Sequence, residues 1–124
     1  MEKYQSNNLI AGKWESKGTG EFQQVLDKYR GTEIGNIPQA TEDQMEAAII
    51  AAVAAFEETK RWSAGKRADM MQKLYNKLEE KKEKFINLII DEGGKPRSYA
   101  INEIERSLTT LRLGIEEATR FKGE

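Results

Sequence analysis

The stretch Ile89-Ile90-Asp91-Glu92-Gly93-Gly94-Lys95-Pro96 limits this chain more than any other, because it is a helix stop followed at once by a helix start. Two adjacent glycines supply the left-handed conformation that closes a helix C-terminus, and a proline suits a helix's first turn, where its missing N–H costs nothing. Helix therefore arrives at this corner from upstream and one long helix leaves it. Gly and Pro punctuate before they bind, so the corner reads as a structural turn rather than a ligand-binding loop.

The last helix is expected over 97–121, with Ile101, Ile104, Leu108, Leu111, Ile115 and Ala118 at alternating spacings of three and four. That spacing makes one apolar seam for packing on other helices. Gly114 inside it predicts a close helix crossing, and the penultimate Gly123 a C-cap. Before the corner, Ser63 is a plausible N-cap. Ala68, Met71, Leu74 (with Tyr75) and Leu78 then recur at helical spacing, and Phe85, Leu88 and Ile89 resume the stripe after a kink near Lys81. Asp69 with Lys73 and Glu80 with Lys84 are spaced as i,i+4 ion pairs, and the all-charged run 79–84 reads as a solvated face.

Further upstream, Thr41 and Gln44 have the spacing of a capping box, with acidic Glu42 and Asp43 in the first turn where the helix dipole favours them. The helix they open runs to about Lys60. Met45, Ile49, Ala52 and Phe56 form one stripe, but residues 47–56 carry no polar side chain at all. A helix apolar all round is a helix surrounded by protein.

Residues 8–37 are short, alternating and rich in glycine. Leu9-Ile10-Ala11 and Trp14-Glu15-Ser16 flank Gly12-Lys13 as a tight hairpin, residues 17–20 form a loop, and 22–26 with 33–37 bracket a second turn, Asp27-Lys28-Tyr29-Arg30-Gly31-Thr32. Pro38 is expected to end the pairing, since it has no donor for the ladder. Strands with so little apolar payload need something to lie on. The fold class is thus α+β: two N-terminal β-hairpins (1–40) followed by four helices (41–124), in a single partial domain over 1–124.

Composition narrows the chemistry. The chain of 124 residues has neither cysteine nor histidine, which removes disulfides, thiolate chemistry, zinc sites built on those residues and every nucleophile activated by imidazole. A net charge of -1 with 33% charged residues argues against a nucleic-acid footprint or a polybasic membrane anchor. The N-terminus, Met1-Glu2-Lys3-Tyr4, lacks an apolar run of signal-peptide length and no 18-residue apolar stretch occurs, so a soluble, cytoplasmic chain is expected. Neither Gly-x-Gly-x-x-Gly nor Gly-x4-Gly-Lys-Ser/Thr occurs, so neither phosphate cradle is available. Asp91 with Glu92, and Glu103 with Glu105, are carboxylate pairs of a kind that arises by chance on a charged helical chain. No catalytic, cofactor-binding or metal-binding residue is assigned.

The order of the pieces carries more than any one of them. Asn8-Leu9-Ile10-Ala11-Gly12-Lys13-Trp14, then Gly31-Thr32-Glu33-Ile34-Gly35-Asn36-Ile37-Pro38-Gln39-Ala40-Thr41, the alanine-rich helix ending in Phe56, Trp62-Ser63 with Arg67-Ala68, Glu92-Gly93-Gly94-Lys95-Pro96 and the closing Phe121-Lys122-Gly123-Glu124 follow one another at set intervals. This succession closely resembles the amino-terminal segment of NAD(P)-dependent aldehyde dehydrogenases. The stretch 25–31, where many relatives carry Asn-Pro, departs toward an Asp-Lys-Tyr version of the pattern.

The resemblance implies the leading segment of a protein several times longer, as an excised piece or a truncated product. That protein would be an α/β enzyme with a Rossmann-like cofactor domain, oxidising aldehydes to acids through a thiohemiacetal on a cysteine with NAD or NADP. Its asparagine, cofactor loop, glutamate and cysteine match no residue here. The chain alone is therefore expected to bind no cofactor and to be inactive. Relatives also imply a monovalent-cation locus between carbonyls near Val25 and Leu26 and the acid matching Glu92, which a lone carboxylate does not suffice to assign. A free-standing helical module that self-associates or binds another protein stays open beside this reading, and self-association through the apolar helix surface is the expected partnership. No nucleic-acid or membrane partner is expected.

Overall fold

The computed structural model describes residues 4–15 and 20–121. Its elements are β1 (Tyr4–Gln5), β2 (Asn8–Ile10), β3 (Lys13–Glu15), β4 (Phe22–Leu26), β5 (Glu33–Pro38), α1 (Glu42–Thr59), α2 (Ala64–Glu80), α3 (Lys82–Gly93) and α4 (Arg97–Arg120). The chain divides into two compact units, Met1–Arg61 and Trp62–Glu124. Residues 16–19 and 122–124, with the expected Ser16 strand end, most of the 17–20 loop and the Gly123 cap, lie outside the described residues.

In the first unit both expected hairpins form. β2 and β3 pair antiparallel, Leu9 opposite Trp14, and the turn between them is Ala11-Gly12 with φ of 49° and 77°. Ala11 is therefore a turn residue and not the end of a strand. Two successive left-handed residues give the turn a twist that matches its flanking strands.

β4 and β5 pair antiparallel from Phe22–Pro38 to Leu26–Glu33, with a register shift between Val25 and Leu26 that leaves the buried Ile34 without a partner residue. Pro38 does not stop the ladder. The Gln39 N–H donates to the Glu21 carbonyl at 3.0 Å, one pair further on. That bond makes 21/39 a hydrogen-bonded pair and 22/38 the intervening kind, where no N–H toward β4 is required. A third strand was not expected: β1 adds parallel to the other edge of β5, Tyr4 beside Gly35, giving the order β1-β5-β4.

α1 opens on the expected capping box. Gln44 N–H donates to Thr41 Oγ1 at 3.1 Å, and Thr41 N–H to Gln44 Oε1 at 3.2 Å. Its first turn is tied to β3 by Gln44 Nε2, which donates to a Glu15 carboxylate oxygen at 3.0 Å. No α1 residue is fully buried. The expectation of a helix wrapped in protein is not met by this chain: Met45, Ile49, Ile50, Val53 and Phe56 are each more than half exposed.

The second unit is a helical layer around Ile86, Ala100, Ile104 and Leu108, with Tyr75, Leu78, Ile89, Ile90 and Ile101 against them. Ser63 caps α2, accepting from Lys66 N–H at 3.2 Å. The expected kink is a break at Lys81, φ -100° and ψ 11°, which ends α2 and starts α3. Two stripes differ from expectation. Leu74 faces outward and Tyr75 takes the inner position. On α3, Ile86 is the most buried side chain while Phe85 stays substantially exposed.

Gly94 closes α3 in the left-handed conformation, φ 66°, with its N–H donating to Ile90 O at 2.9 Å. Pro96 then stands at the N-cap of α4, one residue before the first helical turn. The crossing predicted at Gly114 is present. A Cβ there would lie 2.3 Å from Met71 Cε, so α2 and α4 approach at a distance only glycine allows without Met71 shifting.

Candidate functional site

Titratable groups crowd around the corner between α3 and α4. Lys95, just past Gly94, pairs with Glu103 two turns along α4, and Lys82 at the start of α3 pairs with Glu105. Arg97, in the first turn of α4, reaches back to Glu83 at 2.6 Å and to Asn87 Oδ1 at 3.2 Å. The carboxylates of the Glu103/Glu105 pair thus face Lys95 of the α3–α4 link and Lys82 of α3, and not each other. The hydrogen bond to Glu105 holds the Lys82 ammonium protonated above its ordinary range, the wrong direction for a base.

These are surface ion pairs, weak singly because water screens them, and they link α3 and its turn to α4. Two open depressions flank them on α4 and share Glu103 and Arg106. The hydroxyls nearby are spent on helix backbone: Ser107 donates to Glu103 O and Thr110 to Arg106 O, both at 2.9 Å. No base stands beside either, so neither is an activated nucleophile.

The second titratable cluster is the β4–β5 turn. Asp27 is 3% exposed, and its Oδ1 accepts from Tyr29 N–H at 2.9 Å and Arg30 N–H at 2.7 Å while Oδ2 accepts from the Arg30 guanidinium at 3.1 Å. The Arg30 backbone N–H, above all, holds this carboxyl below its ordinary range. With every oxygen engaged by its own turn, Asp27 is a turn-former.

Neither glycine-rich phosphate-cradle motif is in the sequence. Such a cradle needs free N–H groups at a helix N-terminus behind a glycine-rich turn. Thr41 takes one such N–H of α1 and Ser63 one of α2, and the β5–α1 link, Gln39-Ala40-Thr41, has no glycine; α4, which follows Gly93-Gly94, has no side-chain cap. Among the described residues no three Asp, Glu, His or Cys side chains gather to hold a metal. Val25 and Leu26 belong to the first unit and Glu92 to the second. No described helix is long and apolar enough to cross a membrane.

Against this background the comparisons with known proteins are decisive about ancestry. The model of the aldehyde dehydrogenase family matches residues 14–124. The 3-sulfolactaldehyde dehydrogenase of Pseudomonas putida is 34% identical over 116 residues, covering 94% of this chain and 24% of that protein. The NADP-dependent succinate-semialdehyde dehydrogenase of Escherichia coli is 28% identical over 121 residues, covering 98% and 25%. Among solved structures, the NADP-dependent glyceraldehyde-3-phosphate dehydrogenase of Bacillus halodurans, complexed with NADP, superposes with a TM-score of 0.93 at 31% identity, over 98% of this chain and 26% of that one. The NAD-dependent benzaldehyde dehydrogenase of Corynebacterium glutamicum gives 0.89 at 26%, over 96% and 26%. The chain spans about a quarter of the length of the relatives it matches. Its strands, its four helices and the order of its motifs are those of one family, and the chain belongs to the aldehyde dehydrogenase family.

Proposed function

We propose that these residues are the leading, scaffold-forming segment of an NAD(P)-dependent aldehyde dehydrogenase that oxidises an aldehyde to a carboxylic acid in the cytoplasm, and that the segment by itself has no turnover. The observation that carries the reading is the family match over residues 14–124, joined to relatives whose names specify NAD or NADP and an aldehyde. The chemistry supports the second half. Oxidation through a thiohemiacetal needs a thiol to attack the carbonyl, and there is no cysteine in the sequence. Glu103 and Glu105 are paired with lysines and Asp27 is folded into a turn.

The role left is mechanical. α4 with α2 and α3 makes a pinned helical layer, and the strand unit carries an apolar helix beside it in sequence. The test is to incubate the purified chain with NAD+ or NADP+ and a panel of aldehydes and follow reduced nicotinamide. No aldehyde-dependent signal is expected, and turnover by the pure chain would overturn the reading.

A further inference from the structure

We propose that Met71 is an oxidation-sensitive pin between α2 and α4: conversion of its thioether to the sulfoxide loosens the crossing that holds the second unit together. The inference does not depend on the dehydrogenase reading, because every group in it belongs to this chain. At the crossing, Gly114 leaves the space of a side chain empty and the tip of Met71 fills it. A Cβ on Gly114 would lie 2.3 Å from Met71 Cε and 3.7 Å from its sulfur. Three residues before Met71 stands Ala68, 9% exposed, and four after it Tyr75, which packs on the core. Met71 is therefore on the inner stripe of α2, but it is only partly buried, so a small oxidant reaches it.

The other described methionines, Met45 and Met70, are 58% and 52% exposed, so water solvates a sulfoxide on either. At Met71 the chemistry is the same and the surroundings differ. Hydrogen peroxide transfers one oxygen to the sulfur, which loses two electrons, and the peroxide leaves as water. A flexible apolar tip becomes a polar one. Facing it is the body of α4, whose backbone N–H groups are already spent in the helix ladder, so the new acceptor finds no backbone donor on that side. Left in place, it is a polar group pressed on apolar surface without a partner, which is destabilising. Backed out of the crossing, it empties the space beside Gly114, which costs as a cavity does.

The test is urea unfolding of the full chain before and after treatment with hydrogen peroxide, with the oxidised positions mapped by peptide mass spectrometry. The oxidised chain is expected to lose about 1 M in urea midpoint, the shift that an unpartnered polar group gives at the slope usual for a small domain. Methionine sulfoxide reductases, one for each epimer, restore it. Met71→Leu, a swap of similar volume, keeps its midpoint under peroxide, and Met70→Leu loses it as the unsubstituted chain does. A chain oxidised at Met71 with an unchanged midpoint, an equal loss in Met71→Leu, or a Met71 that stays a thioether while Met45 and Met70 oxidise would each overturn the proposal.

Discussion

At the scale of single residues, the first unit depends on a few positions where no other side chain serves. Gly35 is one: a Cβ there would stand 2.6 Å from the Tyr4 carbonyl oxygen, which is backbone and has nowhere to go. Gly35→Ala is expected to cost about 1–3 kcal/mol, as overpacking does, and to release β1 from the sheet edge. Urea unfolding with amide exchange at Tyr4 checks both. Asp27 is another. Its carboxyl is lowered in the folded state, so its contribution to stability is complete above the ordinary carboxylate range near 3.8 and disappears as pH falls through the lowered value. Asp27→Asn keeps the shape but not the charge, and is expected to flatten the acid limb of a plot of urea midpoint against pH. An unchanged limb would show that the turn does not couple to folding.

At the scale of elements, the helices were legible because their apolar positions repeat and their ends are spelled by Thr41, Ser63, Gly94 and Pro96. Where periodicity offered two faces it misled. Leu74 and Tyr75 are adjacent, and either completes a stripe with Met71 and Leu78. Phe85-Ile86 and Leu88-Ile89-Ile90 likewise contain more than one stripe, and α4 selects the one through Ile86. Ile86→Ala is therefore expected to cost about 2–4 kcal/mol, against less than about 1 kcal/mol for the exposed Leu74→Ala, by denaturant midpoint. β1 was not legible at all. Two residues, Tyr4 and Gln5, show no alternation, and their partners Gly35 and Asn36 lie thirty residues away. The i,i+4 pair expected between Glu80 and Lys84 spans the break at Lys81, and the ion pairs that fix the layer run between α3 and α4.

For the whole molecule, sequence order told the family before any fold was in view, since six weak motifs at set intervals are specific together. Function was legible mainly by subtraction. The lack of cysteine and histidine removes the thiol and imidazole chemistry, and the structure adds that Glu103 and Glu105 are engaged by lysines and Asp27 by backbone N–H groups. The surface of α1 could not be read from its pattern, because a helix without a polar middle gives no sign of which side meets its own chain. Taken whole, the chain is proposed to be scaffold: it has no thiol, no imidazole and neither glycine-rich phosphate-binding motif. Calorimetric titration of the purified chain with NADP+ and with NAD+ is the sharpest check: no saturable heat is expected with either, and a saturable single-site isotherm with one of them would overturn the scaffold reading.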